Sequence, residues 1–257
     1  MRRCTIAAAV LAASIGFIFL FAQKTPAQGS ELLVVVSSGM KAPMEELAPR
    51  IEHSIGRRLA TQFDASKVLK DKIQSGEPFD VAILTVDDID YLIKQGKIAA
   101  GTQAEIARTG MGIGIRTGAP KPNISTPEAL KRTLLRAKSI AINPNGVLFA
   151  HINEVFARLG IAEDVKSKLI LDVKPGGPQM DVADGKAELV IMLTPEIEFS
   201  KGVEFAGPFP EELQSYTSFS AGVATNTHNA DAAKALIKFI SGPAAAPTLK
   251  AKGFEPR

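Results

Sequence analysis

Short apolar runs alternate with amphipathic stretches along most of this chain. Leu32–Val36 is a continuous apolar run, and Phe79–Thr85 and Glu188–Leu193 have the same character. Such runs are typical of strands that are buried on both faces of a sheet. Between them, apolar residues recur at helical spacing, as they do from Pro43 to Ile55. The alternation predicts an α/β fold in which mostly parallel sheets are covered by helices.

The same pattern predicts the remaining elements. Ser66 is expected to cap one helix, and Ser125 with Glu128 has the spacing of a capping box for another. The further strands are predicted at Leu59–Phe63, Thr109–Thr117, Ser139–Ile142, Leu169–Val173 and Thr217–Thr225. The further helices are predicted at Ser66–Gly76, Asp87–Gln95, Ser125–Arg136, Gly146–Leu159, Gln179–Asp184, Asp231–Ile240 and Ala244–Ala251.

The first 27 residues have the pattern of a secretory signal peptide. Arg2 and Arg3 precede an apolar run from Ile6 to Ala22, and Thr25-Pro26-Ala27 supplies small residues at the cleavage positions. The rival interpretation is an uncleaved anchor, because the run is near the lower length for crossing a bilayer, roughly 17–20 residues. We expect cleavage after residue 27 and a periplasmic mature protein.

Charge and cysteine content exclude several classes of function. The chain has 30 Lys and Arg against 27 Asp and Glu, and the predicted leader carries three of the basic residues and no acidic one. The mature chain is therefore near neutral, which does not favour nucleic-acid binding. Cys4, the one cysteine, lies in the leader, which excludes disulfides, thiolate catalysis and Cys-based metal sites. We expect a monomer without metal or cofactor.

Three junctions between a strand and a helix carry small polar residues. Ser37, Ser38 and Gly39 follow the first strand, Ser66 follows the second, and Asn143-Pro144-Asn145-Gly146 follows a strand in the second half. Ligands of open α/β sheets bind beyond the carboxyl ends of strands, where these junctions lie. Helix N-termini there present free N–H groups and partial positive charge. The implied ligand is an anion.

Each junction also has a purely structural interpretation. Ser66 is an ordinary N-cap residue, Asn145-Gly146 is a common turn dipeptide, and Gly176-Gly177 is either a ligand-facing loop or a tight turn. No catalytic set is readable, because a nucleophilic Ser37 or Ser38 would need a partner histidine and acid.

Several of these segments resemble the periplasmic molybdate-binding proteins of ABC importers. The resemblance is best from Val34 to Glu52, from Ser66 through Lys72–Val81, and in the tail Ala232–Gly253. It implies the two-lobed type II periplasmic binding protein fold, with each lobe a mostly parallel sheet flanked by helices and with two hinge crossovers. On that basis residues 28–113 and 222–257 form one lobe and 114–221 the other, and a membrane permease is the expected partner.

A second resemblance concerns Gly118–Ser125 and Leu134–Ala141. These segments are similar to a subgroup of the family that includes aconitate isomerase. The family's oxyanion-contacting tyrosine aligns near Leu193, and two hydroxyls of the isomerase subgroup are replaced within Asn143–Leu148. The resemblance therefore implies anion binding, with an oxyanion or an organic di- or tricarboxylate as alternatives.

These observations predict an extracytoplasmic solute-binding protein that closes on a small anion. The alternative is an isomerase of aconitate on the same fold. The prediction depends on the turns at 37–39 and 143–146 lining one shared cavity. Without such a cavity, the two halves of the chain would have no common anion site. The predicted contacts are Ser37, Ser38, Gly39, Met40 and Ser66 from one lobe, and Asn143, Asn145, Gly146, Val147 and Thr194 from the other.

Overall fold

The structure is a computed structural model that describes residues 31–257. The predicted signal peptide, residues 1–27, lies outside the described residues. Within 31–257, no helix combines the length and the apolar character needed to cross a membrane.

The chain begins with three parallel strands that alternate with helices. These elements are β1 Leu32–Ser37, α1 Lys41–Ile55, β2 Leu59–Asp64, α2 Ser66–Gln74, β3 Val81–Thr85 and α3 Val86–Lys94. β1 lies between β2 and β3, and Ser37 at its end is in register with Asp64. A single 3₁₀ turn, Ser38–Met40, connects β1 to α1.

The apolar run of β1 is explained by burial on both faces. Val34 and Val36 belong to the large core that also contains Met44 and Leu47 of α1. Val35 points to the opposite side, into a smaller core formed with α2 and α3. Strands of this kind must be apolar at consecutive positions rather than at alternate ones.

A long fourth strand, β4 Ala104–Arg116, belongs to two groups of strands in turn. Its first half, as far as Gly110, pairs with the later strand β9 Tyr216–Val223. Its second half, from Met111 onward, pairs with β7 Leu189–Leu193. The first strand group consists of β1, β2, β3, β9 and the start of β4. A short C-terminal strand, described below, also pairs with the start of β4.

The second strand group follows β4 along the chain. Its elements are α4 Pro127–Arg136, β5 Ile140–Ile142, α5 Phe149–Arg158, α6 Ala162–Lys166, β6 Leu169–Leu171, α7 Gly177–Ala183, β7, α8 Thr194–Glu198 and β8 Val203–Pro208. β5 pairs in parallel with both β6 and β7, while β7 and β8 run antiparallel to β4. The α/β fold with helical cover is thus confirmed: β1 pairs in parallel with β2 and β3, and β5 with β6 and β7, while β4, β8 and β9 add antiparallel pairs.

The C-terminal part of the chain returns to the first strand group. It comprises β9, α9 Ala230–Ile240, α10 Ala246–Ala251 and β10 Glu255–Pro256. β9 lies between β3 and β4, antiparallel to both, and β10 pairs with the start of β4. α9 and α10 pack against α1, so the terminal helices do find their surface on the first group, as the sequence predicted.

Several local predictions were wrong. Ser66 does not cap α2: Ala65 is the N-cap residue, and Ser66 is the first helical residue, without a capping hydrogen bond. Thr126, not Ser125, caps α4, since its side chain accepts from the Ala129 amide. The helix expected to begin at Gly146 begins at Phe149. β8, β10, α6 and α8 were not predicted, because each has at most six residues and no pattern of its own.

A buried carboxylate fastens the returning segment to the first strand group. Asp80, 5% exposed, accepts hydrogen bonds from the Leu33 amide at 2.8 Å, from the Asn229 amide group at 3.2 Å and from the Thr227 hydroxyl. Arg57 in turn donates to Asn229 at 2.9 Å. One acceptor thereby joins β1, the loop before β3 and the loop before α9.

Replacing this acceptor should destabilise the fold. We expect Asp80→Ala to lower the free energy of unfolding by roughly 2–4 kcal/mol, because several buried donors lose their partner at once. Asp71→Ala is the matched control, since Asp71 makes only an exposed ion pair with Lys67 and should cost about 1 kcal/mol or less. Urea denaturation measures both, and equal losses would contradict this role for Asp80.

Candidate functional site

The pairing of β4 brings the carboxyl ends of both strand groups together. β9 is antiparallel to β3 and to β4, so β4 runs in the same direction as β1–β3. β7 is antiparallel to β4, and β5 is parallel to β7. The carboxyl ends of β1, β2 and β3 therefore face those of β5 and β7. In α/β proteins ligands bind at such ends, and here two sets of them converge.

The turn after β1 lies directly against the end of β7. A Cβ atom placed on Gly39 would lie 2.7 Å from Leu193 Cδ1 and 2.9 Å from Phe219 Cζ. Only glycine fits this approach without displacing Leu193 or Phe219. Gly39 therefore allows the two strand groups to meet, besides lining the cavity described next.

A cavity of about 520 Å³ opens beside this contact. The first strand group contributes Ser38, Gly39 and residues of α1 to its wall, and the second contributes residues of α7 and α8. The polar and charged side chains that line it are Ser38, Lys41, Glu45, Glu46, Gln179, Glu196, Ser200 and Lys252.

The two strand groups share a hydrogen bond in this cavity. The Ser38 hydroxyl donates to Glu196 Oε1 at 2.9 Å. Burial of Glu196 raises the pKa of its carboxyl from an ordinary value of 4.5 to about 7, and the hydrogen bonds from Ser38 and from the Leu193 backbone only partly oppose that rise. Near neutral pH this carboxyl thus exchanges a proton readily, which is the property of general acids and bases.

The cations of the cavity are already paired. Lys252 lies 2.8 Å from Glu46 and 4.1 Å from the centroid of the Phe199 ring. Lys41 lies 3.8 Å from Glu45. The wall accordingly has no excess positive charge, and a bound anion must be held by neutral donors.

Two buried polar atoms near the facing strand ends have no hydrogen-bond partner among the described residues. The Ser66 hydroxyl, at the start of α2, is fully buried and unpartnered. Gln179 Oε1 is also unpartnered, although Gln179 is only 9% exposed and lines the cavity. An unsatisfied buried polar group costs about 1–3 kcal/mol. Such groups are expected where a ligand completes the hydrogen bonding.

The structure distributes the predicted contacts of the first strand group over different environments. Ser38 and Gly39 line the cavity, whereas Ser37 ends β1 in a buried position. Met40 is fully buried in the large core. Ser66 follows β2, which neighbours β1 in parallel register, so it lies at the same edge of the sheet, although it does not line the cavity.

None of the predicted contacts of the second strand group lines that cavity. Asn145, Gly146 and Val147 line a second cavity of about 660 Å³, together with Lys67, Asp88 and Tyr216. Asn143 accepts a hydrogen bond from the Asn145 amide at 2.8 Å, as in a turn. Thr194 is the half-buried first residue of α8. The turns at 37–39 and 143–146 thus line separate cavities of the described chain rather than one. The shared cavity predicted for them is not seen within residues 31–257, and residues of α7 and α8 form the second group's side of the first cavity instead.

Sequence reasoning missed Gln179 and Glu196. Both follow signals that were visible: Gln179 comes just after Gly176-Gly177, and Glu196 is three residues beyond the buried strand β7. Gly176 has φ of +73° and also lines the cavity, so that loop is both a tight turn and part of the wall. Within residues 31–257 no group of three or more His, Cys, Asp or Glu side chains could hold a metal ion.

The chain is similar in sequence to known proteins over most of its length. The chain is 27% identical to an aconitate isomerase of a Pseudomonas species over 88% of its length and 87% of the relative's. It is 29% identical to the molybdate-binding protein ModA of Azotobacter vinelandii, over 89% and 91%.

Solved structures share the fold. The periplasmic molybdate-binding protein of Azotobacter vinelandii matches with a TM-score of 0.75 and 19% identity, over 88% of this chain and all of that one. The sulfate-binding protein of Mycobacterium tuberculosis matches with a TM-score of 0.69 and 19% identity, over 88% and 86%. These likenesses confirm the predicted periplasmic binding protein fold. The family model for bacterial extracellular solute-binding proteins matches residues 32–255, and the chain belongs to that family.

Proposed function

We propose that this protein binds a small anion between its two strand groups. The observation that carries the proposal is the fully buried, unpartnered hydroxyl of Ser66, at the first turn of a nine-residue helix whose N-terminus lies at the facing strand ends. Helix N-termini and hydroxyls are donors, and donors without partners suit an oxyanion or a carboxylate. Gln179 lines the cavity from the other strand group, and its side-chain amide offers N–H donors; its unpartnered atom is the oxygen, which is an acceptor and adds nothing to the case for an anion.

The class of ligand follows from the side chains that line the 520 Å³ cavity. With its lysines paired, the cavity suits recognition by neutral hydrogen bonds, which select by shape and protonation rather than by net charge. The relatives are named for molybdate, sulfate and aconitate, all of them anions. We propose an oxyanion or a di- or tricarboxylate as ligand, taken up in the periplasm after removal of residues 1–27 and passed to an ABC permease.

Closure around the ligand would be a movement of two lobes. We propose that residues 28–113 with 222–257 form one lobe and 114–221 the other, linked where the chain passes from 113 to 114 in β4 and from 221 to 222 in β9. Ligand contacts made only when the strand groups are close would then favour the closed form. The Ser38–Glu196 hydrogen bond joins the two proposed lobes and would be a contact of that closed form.

Thermal unfolding with a panel of anions tests the binding proposal. We expect at least one of molybdate, tungstate, sulfate, citrate and cis-aconitate to raise the melting temperature. A ligand at a hundred times its dissociation constant adds about 2.7 kcal/mol of stability. Sodium chloride at equal ionic strength is the control. No shift with any of these anions would contradict anion binding.

Removing the Ser66 hydroxyl should weaken binding without harming the fold. We expect Ser66→Ala to lower the affinity for the anion about 10- to 100-fold, the value of a hydrogen bond to a charged group. The free energy of unfolding of the ligand-free variant should stay equal or rise, because an unsatisfied buried hydroxyl is removed. Calorimetric titration and urea denaturation measure the two effects.

Ser54→Ala is the matched control for that variant. Ser54 is an exposed residue of α1, on the same strand group, and lines neither cavity. Its replacement should leave affinity and stability unchanged. If Ser66→Ala binds the anion as the unaltered protein does, the hydroxyl is not a ligand contact.

Glu196 favours an isomerase as a second candidate function. A carboxyl with a pKa of about 7, inside a ligand-sized cavity, suits a base that accepts a proton from carbon and returns it elsewhere on the same molecule. In that reaction a C–H bond next to a carboxylate breaks, its electron pair enters the adjacent double bond, and the proton returns at the other end. No co-reactant is consumed, and the similarity to aconitate isomerase supplies the substrate class.

Incubation with cis-aconitate separates the two candidates. If the protein is an isomerase, the trans isomer should accumulate at enzymatic rate, and Glu196→Gln should lower that rate at least 100-fold, since general base catalysis contributes about 10²–10⁴-fold. Proton NMR of the mixture measures the conversion. Binding of cis-aconitate without conversion excludes the isomerase and leaves the binding proposal intact.

A further inference from the structure

The carboxyl of Glu196 occupies an unusual place for an anion-binding cavity. It is partly buried in the wall, and one of its oxygens accepts from the Ser38 hydroxyl. An ionised carboxylate has only acceptors, as has a fully ionised oxyanion. Two such groups cannot share a hydrogen bond until one of them carries a proton.

No neighbouring cation compensates Glu196. Of the helices packed against α8, α1 presents Lys41, Glu45 and Glu46 to the cavity, and both Lys41 and the nearby Lys252 pair with glutamates. The 3₁₀ turn carries no charge, and α8 itself adds only another acid, Glu198.

The strands packed against α8 do not compensate it either. β7 has no charged residue, and β8 contributes Glu204, which pairs with Lys121. The charged residues of β4 lie at its two ends: Glu105 pairs with Arg257, Arg108 with Glu255, and Arg116 lies beside Gly185. Glu196 therefore faces the ligand cavity without a countercharge from any element that surrounds it.

We propose that Glu196 takes up a proton when the anion binds and that the protonated carboxyl then donates a hydrogen bond to the ligand. Glu196 is thereby a specificity-determining residue. The proposal rests on the proposed binding of an anion in this cavity. It assigns the site to ligands that present an unprotonated oxygen to Glu196.

Magnitudes favour protonation over charge repulsion. Two negative charges about 4 Å apart would weaken binding about a thousandfold at an effective dielectric constant near 20. Taking up a proton at a carboxyl whose pKa is about 7 weakens binding only about twofold at pH 7. The bound anion should therefore raise the pKa of Glu196 further, and the proton stays on the carboxyl for as long as the anion is present.

The sign of the pH dependence follows from this linkage. Below pH 7 Glu196 is mostly protonated before binding, so affinity should be level there. Above pH 7 the proton must come from solvent, and affinity should fall about tenfold for each pH unit. A base in an isomerase must instead be ionised, so turnover would rise up to about pH 7 and level off above it. The two roles therefore predict different pH profiles: a level affinity that falls above pH 7 for the donor, and a turnover that rises below pH 7 for the base.

Calorimetric titration with molybdate and with sulfate, neither of which titrates between pH 6 and pH 9, tests the proposal. Repeating each titration at pH 8 in Tris and in HEPES counts the protons taken up, because the buffers differ in ionisation enthalpy. We expect close to one proton per anion at pH 8 and close to none at pH 6. For a carboxylate probe, the proton count is corrected with a titration of the free ligand.

The variant Glu196→Gln sharpens the test. Glutamine offers an N–H donor at the same place without titrating. It should bind the anion with little change from pH 6 to pH 9, with no proton uptake and with an affinity at pH 9 well above that of the unaltered protein. Glu163→Gln, an exposed substitution on α6, is the matched control and should keep the full pH dependence.

Different failures have different meanings. Anion binding with level affinity across pH 6–9, or with no proton uptake at pH 8, would overturn the role of Glu196 and leave anion binding standing. The same holds if folded Glu196→Gln loses binding at every pH. If neither probe nor any carboxylate of the panel binds the unaltered protein, the proposed function itself is wrong.

Discussion

The direction of β4 is the constraint on which the rest of this structure depends. One continuous strand pairs with β9 along its first half and with antiparallel β7 along its second half. Because strand direction is fixed by that pairing, the carboxyl ends of the first group must point at those of the second. The helices that begin at those ends, α2 in the first group and α5 in the second, then direct their N-termini toward the gap. The location of the site follows from chain direction before any side chain is considered.

Close packing across the gap determines the chemistry available there. Gly39 lets the first turn reach Leu193, and Ser38 comes within hydrogen-bond distance of Glu196 as a result. The same closeness removes water from Glu196, and desolvation is the main cause of its raised pKa. Meanwhile Lys41 and Lys252 are held by Glu45 and Glu46. In the proposed binding role, protons and neutral dipoles would therefore contribute to anion selectivity alongside shape.

The sequence predicted those parts of the fold that have strong local patterns. The runs at 32–36 and 189–193 were recognisable as buried strands because both of their faces are apolar. β8 and β10 were missed, since short strands beside β4 are recruited by tertiary pairing rather than by periodicity. For the site, the junction at 37–39 was foreseen. Gln179 and Glu196 were not, because glutamine and glutamate on short helices look like any surface residue until the opposing strand end is placed against them.

A hydrogen bond between the two strand groups gives Glu196 a role in closure as well as in recognition. Ser38 donates to one oxygen of the carboxyl, and protonation leaves that oxygen free to accept while the other becomes a donor. The protonated form can thus hold Ser38 and a ligand oxygen at the same time, one from each side. The ionised form can hold only donors, so it keeps the contact with Ser38 but repels the anion. Because the contact with Ser38 persists in both forms, the proposed proton would decide whether the cavity can be filled by an anion, while the contact that joins the two strand groups is retained throughout.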